Sequence, residues 1–383
     1  MFNPVNPVNP VIPVAQVVQI LPPPVAVPSE WADVISPELW GIIHGSNSFT
    51  IRQHVKLLPK KCIGCPPCVL QENTYSVYAG LTGSNESEVL RADEVSNDWN
   101  RCCCKPYHPF RLEFRRYIPF PGDGYSNDYN HLGQDLQQDW ARLANPNQRQ
   151  DFLVNYYKQQ PVLLSAVRDS GQRCIACPCK VLSCFVCAAC CQDGTHIYAG
   201  PVADGPPNSH DAGMPFNLPR ERFIGAATQP IYGGCCIPAV HLRDSLEPSE
   251  PFGKVEGPCI FGGWSEFCCD FKFTTSFFNS PSKTGDIGII TKKKPVGFQG
   301  GVRELFSDAD TYTIVFNPET AQKLTAAQKL TVLSTQLLAD YMYFDGNTDK
   351  CKFSNEGITC YFFYCSIIGC LVPCQLFIPN PNQ

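Results

Sequence analysis

Phe110-Arg111-Leu112-Glu113-Phe114-Arg115 alternates apolar and charged side chains with a period of two. Successive side chains of an extended chain point to opposite faces, so the run predicts a strand with one buried face. The pattern recurs on both sides of it. Upstream, Phe49, Ile51, Val55 and Leu57 alternate with polar partners; downstream, Phe271, Phe273 and Phe277, then Tyr312, Ile314 and Phe316, do the same. Gly- and Pro-rich punctuation separates these runs, and helical periodicity is scarce before residue 317. From about Trp31 the chain therefore reads as a mainly β body of antiparallel strands.

The chain has 383 residues, 44% of them hydrophobic, which is enough for a sizeable core and excludes wholesale disorder. Charged residues make up only 17% and the net charge is −5, so nothing points to nucleic acid as a partner. Residues 1–30 form a separate segment, Pro-rich and expected to be disordered. Pro4, Pro7, Pro10 and Pro13 recur every third residue, and Pro22–Pro24 and Pro28 extend the series. That is the period of a polyproline II helix, readable as a track for SH3 or WW domains over residues 4–28 or as an extended spacer. Residues 121–160 and 200–222 look like surface insertions in a body spanning 31–345, the first with a short helix near Gln134–Leu143.

Asn317-Pro318-Glu319 is a good helix start, with Asn as N-cap and Pro at N1. The helix it opens carries Leu324, Leu330, Leu333, Leu337 and Leu338 but also Lys323, Lys329 and Asp340, a poor composition for a hydrocarbon span. Residues 346–383 are Cys-rich and hydrophobic. Within them 357–378 contains no charged residue and is long enough for a membrane anchor, with Lys350 and Lys352 just before it placing the body on the cytosolic side. Pro373 and Gln375 count against a spanning helix, and the aromatics and cysteines would equally suit a buried hairpin.

Cysteine is the outlier, at 23 residues. The N-terminus has no signal-peptide pattern, so a reducing compartment is expected and structural disulfides are disfavoured. The thiols occur in bursts: 62/65/68, 102–104, 174/177/179, 184/187/190/191, 235/236, 259, 268/269 and five from 351 to 374. The CxxC pairs at 62/65, 174/177 and 184/187 have zinc spacing. Clustered thiols among apolar residues suit S-acylation, where several chains hold a membrane that one does not. Small buried hydrophobes are the third reading. An internal echo accompanies them: Val77-Tyr78-Ala79-Gly80 follows one cluster and Ile197-Tyr198-Ala199-Gly200 the next, suggesting two similar halves. No HExxH, GxSxG or Walker loop is present, so bond chemistry has no candidate and the chain does not read as an enzyme.

One segment is more specific: Gly301-Val-Arg-Glu-Leu-Phe-Ser-Asp308-Ala-Asp310-Thr-Tyr312-Thr-Ile314-Val-Phe316. Together with Arg101-Cys-Cys-Cys-Lys-Pro-Tyr-His-Pro-Phe110, Gly257-Pro-Cys259 and Cys268-Cys269-Asp-Phe271, it resembles the phospholipid scramblase family. The likeness runs over about residues 40–345. It implies a closed antiparallel tubby-like barrel of about twelve strands around a C-terminal helix. It also implies calcium-responsive movement of phospholipids between leaflets at the cytosolic face of a membrane. Palmitoyl groups would sit on Cys174, Cys177, Cys179, Cys184, Cys187, Cys190 and Cys191. The family's weak Ca2+ loop would map onto Asp308, Asp310, Tyr312, Ile314, Phe316 and Glu319, although Tyr312 is a poor ligand and Thr313 stands where the turn glycine belongs. Asp308 and Asp310 read equally as turn residues, and Glu319 as a first-turn acid. The family's membrane helix would be the segment after Glu319, which is unusually polar here and could instead fill the barrel. Lys292–Lys294 lies where some members carry a nuclear import signal; a solvated turn or a contact with lipid headgroups is the other reading. Homo-oligomers would help translocation, since one span offers lipid no pathway. An acylated lipid-binding adaptor without transport, or a zinc protein, are the rival functions.

Overall fold

A computed structural model of the chain describes residues 26–54, 73–80, 87–96, 110–117, 142, 146–169, 193–204, 216–230, 233–247, 249–280, 285–294, 310–344, 351–367 and 370–380. In chain order the strands are β1 (Ser48–His54), β2 (Thr74–Ala79), β3 (Ser87–Val95), β4 (Phe110–Arg116), β5 (Val162–Asp169), β6 (Gly194–Ala199), β7 (Ala203–Asp204), β8 (Phe216–Asn217) and β9 (Phe223–Thr228). They continue as β10 (Ala239–Arg243), β11 (Gly253–Glu256), β12 (Ile260–Phe261), β13 (Phe271–Phe277), β14 (Gly288–Lys293), β15 (Thr311–Phe316), β16 (Cys351–Ser354), β17 (Gly357–Ile367) and β18 (Cys370–Pro379). The helices are α1 (Pro37–Gly45), α2 (Pro146–Gln159), α3 (Pro318–Ala321) and α4 (Ala326–Ala339), the last running on into a π turn, Asp340–Phe344.

Twelve of the strands close a barrel in the order β1-β15-β14-β13-β11-β10-β9-β6-β5-β4-β3-β2, every pair antiparallel. The alternation read from Phe110 onward fixes which face turns inward: Phe110, Leu112 and Phe114 are buried in the core with Phe49, Ile51, Phe271, Phe273, Tyr312, Ile314 and Phe316. Arg111, Glu113 and Arg115 form an ion-paired row on the outer face, at 2.8 and 2.5 Å. Closure leaves no free edge in the ring.

Helix α4 runs inside this barrel. Thr325 and Gln328 form a reciprocal capping box at its start, both bonds at 3.1 Å. Nearly every residue from Ala326 to Phe344 is buried. Its polar composition is accommodated internally: Thr331 and Thr335 hydroxyls donate to carbonyls one turn back, and the Lys329 ammonium donates to the carbonyls of His44 and Ser46 at the end of α1. Burial pulls Lys329 down to about 8. The helix expected either to cross a membrane or to fill the barrel does the second. At 14 residues it is also shorter than a span needs.

Gly225 of β9 is where the helix comes closest, and a Cβ there would lie 2.0 Å from Thr331 Oγ1 and 3.0 Å from the Arg243 carbonyl. Gly225→Val should therefore push α4 off its seat and cost about 1–3 kcal/mol, read as a lowered urea midpoint with unchanged slope. A variant as stable as the parent would mean that the helix has room to spare.

Five expectations are corrected here. Residues 357–378 are not a helix: they form the antiparallel hairpin β17–β18, joined to β12 and β16 in a sheet outside the ring. No helix among the described residues is long and apolar enough to cross a membrane. Cys351 and Cys360, directly opposed on β16 and β17, are joined in a disulfide, where structural disulfides were disfavoured. Lys292 is buried at 2% exposure, so Lys292–Lys294 is not a continuous exposed basic signal. In the first insertion the described helix is α2, C-terminal to the expected Gln134–Leu143, most of which lies outside the described residues. In the second, β7 and β8 pair briefly where loop was expected.

Candidate functional site

Strands that run up and down alternate their connections between the two ends of the barrel. One end receives the connections β1–β2, β3–β4, β5–β6, β9–β10, β11–β13 and β14–β15, the exit of α4 and the sheet of β12 and β16–β18. The other end receives α1, α3 and the remaining turns. Among the described residues every cysteine, from Cys235 to Cys374, lies in the first set. The other thirteen lie outside the described residues, in sequence between β1 and β2, β3 and β4, and β5 and β6.

Just inside that rim the barrel is sealed by buried polar side chains, and they repeat. In each of three hairpins, a residue near the end of one strand bonds the residue just before the next. On β1 Gln53 Nε2 donates to Asn73 Oδ1 at 3.1 Å. On β5 Arg168 grips Asp193 through Nε at 3.0 Å and Nη2 at 2.6 Å. On β14 Lys292 Nζ lies 2.7 Å from Asp310 Oδ2 and 3.1 Å from Glu266 Oε2. The sequence echo belongs to this arrangement. Gly80 and Gly200, both at positive φ, follow β2 and β6 and accept from Thr50 and Ser165 hydroxyls at 2.9 and 2.8 Å. The two hairpins stand a third of the way apart round the ring, so the echo marks repeated hairpins, not two halves.

The end of the central helix closes the layer. Asp340 accepts from Tyr75 at 2.7 Å and from Tyr312 at 2.5 Å, while Tyr341 donates to Glu94 at 2.7 Å. Phe344 lies under Lys292, 4.0 Å from ring centroid to Nζ. Burial alone would push Lys292 down, but Asp310 and Glu266 hold it well above the ordinary lysine range. Burial, with Asp310 and Asp340 beside it, keeps the Tyr312 phenol protonated far above its usual range. This is a permanently charged, hydrogen-bonded plug and not an acid–base pair poised near neutrality. Sequence reading missed it because Gln53, Arg168 and Lys292 occur in unremarkable strand ends; the spacing "strand-end polar residue, long connection, polar residue before the next strand" is the signal that finds them.

The described members of the expected calcium set lie along β15 and the turn after it. Asp308 lies outside the described residues. Asp310 faces Lys292, Tyr312, Ile314 and Phe316 are buried on β15, and Glu319 is exposed in the first turn of α3. A chelating loop must fold its ligands round one point, whereas the strand between Asp310 and Glu319 holds them roughly 20 Å apart. Among the described residues no group of three or more His, Cys, Asp or Glu side chains gathers to hold a metal. The seven cysteines expected to carry palmitate, Cys174 to Cys191, and the CxxC pairs at 62/65 and 174/177, lie outside the described residues, as does most of the Pro-rich track. Described thiols at the same end are open to solvent: Cys235, Cys236, Cys259, Cys268, Cys269 and Cys374 are exposed.

Fold and site together define a helix-filled antiparallel barrel with one polar-sealed, cysteine-rich end. Residues 208–346 match the model of the Scramblase family, from just before β8 through the π turn that ends the central helix. The matched stretch takes in both Gly257–Phe271 and Gly301–Phe316, the motifs that carry the resemblance to that family. No curated protein and no solved structure matches the chain.

Proposed function

We propose that this protein binds phospholipids and moves them between leaflets at the cytosolic face of a membrane, held there by acyl chains on the cysteine end of its barrel. The observation that carries the proposal is that the described cysteines all lie at one end of the barrel, most of them exposed, while the other thirteen fall in sequence between strands that meet at that end. Several acyl chains on one face give firm attachment, about 0.8 kcal/mol per buried CH2, where one chain binds only marginally. Cys174, Cys177, Cys179, Cys184, Cys187, Cys190 and Cys191 are the densest group and the first candidates.

The barrel interior is not the lipid route, since α4 and the polar layer fill it. Lipid would cross beside the protein, through a bilayer disturbed beneath the attached rim or between copies of the chain. The scheme itself assigns no step to calcium.

Reconstitution into liposomes with a one-leaflet dye quench tests the transport. Exchange above the protein-free rate is expected, the same with calcium as with a chelator, and Asp308→Asn should leave it unchanged. Exchange no faster than in protein-free vesicles removes the transport reading. It would favour the second one, an acylated adaptor with a filled, closed barrel, whose binding to SH3 or WW domains would be lost on deleting residues 1–28.

A further inference from the structure

The hairpin β17–β18 is the part of the cysteine end that the attachment by thioesters leaves unexplained. From Gly357 to Ile378 it contains no charged residue. Its register, with a bulge between Tyr361 and Phe363, sorts the side chains onto two faces, although β18 itself is exposed on both, Phe377 at 48% included. Tyr364 and Ser366 turn inward and are buried, with Tyr361 and Tyr364 stacked at 5.9 Å. On the opposite face β17 presents Phe363 and Ile367, and β18 presents Val372, Cys374, Leu376 and Ile378. Of these, Ile367, Val372, Leu376 and Ile378 are 43–50% exposed. A continuous apolar face of this kind is not left to water without a purpose.

β18 pairs only with β17, so it is also an edge strand. Two occupants would suit such an edge, a strand from a second copy or a lipid surface, and two features favour lipid. Proline lacks an N–H and tolerates a sheet only where that N–H would point off the edge, so Pro373 removes a donor from the middle of the free edge and interrupts any added strand. Finally, the 3-10 turn Gly263–Phe267 is set against Tyr361 and Phe362 and leaves Trp264 42% exposed, an aromatic suited to headgroup depth. Gly263 permits that approach: at φ +62 its Cβ position lies 2.7 Å from the Tyr361 carbonyl.

We infer that β17–β18 is a membrane-docking hairpin that lies flat in the interface, its Val372–Ile378 face in the boundary between headgroups and acyl chains. It does not cross, because a lone hairpin would carry the unpaired backbone of β18 into hydrocarbon. Apolar contact of this kind is reversible and would hold the cysteine end against the bilayer before any acyl chain is added. The inference rests on the membrane reading above but needs neither acylation nor transport.

The test is flotation of the unacylated full chain with vesicles of phosphatidylcholine containing some phosphatidylserine. Val372→Asp with Leu376→Asp should lower vesicle partitioning about a hundredfold, from the lost burial of two apolar side chains. Phe377→Asp, on the same strand and 48% exposed but on the other face, should change it less than about threefold. Thermal melts matching the parent show that both variants remain folded. Equal losses from both variants, or no loss from either, overturn the inference. So does a double variant that loses self-association in sedimentation while still floating, which would make the face a contact between copies. Acylated protein that floats beside unacylated protein that does not would sink the hairpin and leave the thioester attachment standing. Flotation without lipid exchange would remove transport and leave the hairpin.

Discussion

Lys292→Met should cost about 3–5 kcal/mol of folding stability, the largest loss expected from any single polar substitution in the barrel. The ammonium is 3% exposed, 2.7 Å from Asp310 and 3.1 Å from Glu266. Removing it leaves two buried carboxylates without the cation they face, in a layer that water does not reach. The cost should fall when the acids are neutralised as well: Lys292→Met with Glu266→Gln and Asp310→Asn should recover most of it, since an apolar or neutral replacement of a whole buried group is often tolerated. Urea denaturation of the single and triple variants measures both steps. A single-variant loss below about 1 kcal/mol would mean that the layer is wetter than its burial implies.

The same residue shows how much of the molecule the sequence disclosed. Period-two alternation is a property of neighbours, so the strands at 49–51, 110–114, 271–277 and 312–316 were legible, and every one of them lines the barrel. Asn317 caps a helix as read and accepts from the Glu319 amide, but that helix is the four-residue α3; the central helix starts anew at the Thr325–Gln328 capping box. Its destination was harder, because Lys329 and Asp340 argue against lipid without saying what replaces it. The replacement is carbonyls of α1 for the one and tyrosine hydroxyls for the other, all supplied from distant segments. Lys292 read as the first of three solvated lysines for the same reason. In a strand the neighbours of one side chain face the other way, so Lys292 turns into the barrel while Lys293 turns out.

The C-terminal segment failed differently. Absence of charge over residues 357–378 reports burial or lipid contact but not backbone conformation, and length alone favoured a helix. The tendency that decided was β-branched and aromatic content around Gly357 and Pro373, both awkward inside a helix and both acceptable at the start or edge of a strand. The cysteine pattern was countable but not interpretable in one dimension. Only the alternation of up and down strands shows that the bursts fall between strands that meet at one end.

Acid should weaken the barrel through His196, which lies on β6 with its ring tilted against Phe223 at 6.3 Å. Among the described residues its Nδ1 has no hydrogen-bond partner, and burial pulls the imidazole from 6.5 down to about 4. Above pH 6.5 the ring is neutral in both the folded and the unfolded chain and costs nothing. Between pH 6.5 and 4 the unfolded chain takes up a proton that the folded one refuses, so stability falls with falling pH and levels off below 4. The full loss is on the order of 3 kcal/mol. Burial lowers His44 and His241 as well, adding a shallower slope of the same sign, whereas Glu88, raised by burial, opposes it. His196→Phe isolates the contribution, because a phenyl ring fills the place beside Phe223 and cannot protonate. Its urea midpoints should match the parent near pH 7 and exceed it at pH 4.5, with the gap opening through the window between. Parallel curves for the two proteins across that range would show that the folded chain accepts the proton on His196 without penalty, and that its burial on β6 has been overstated.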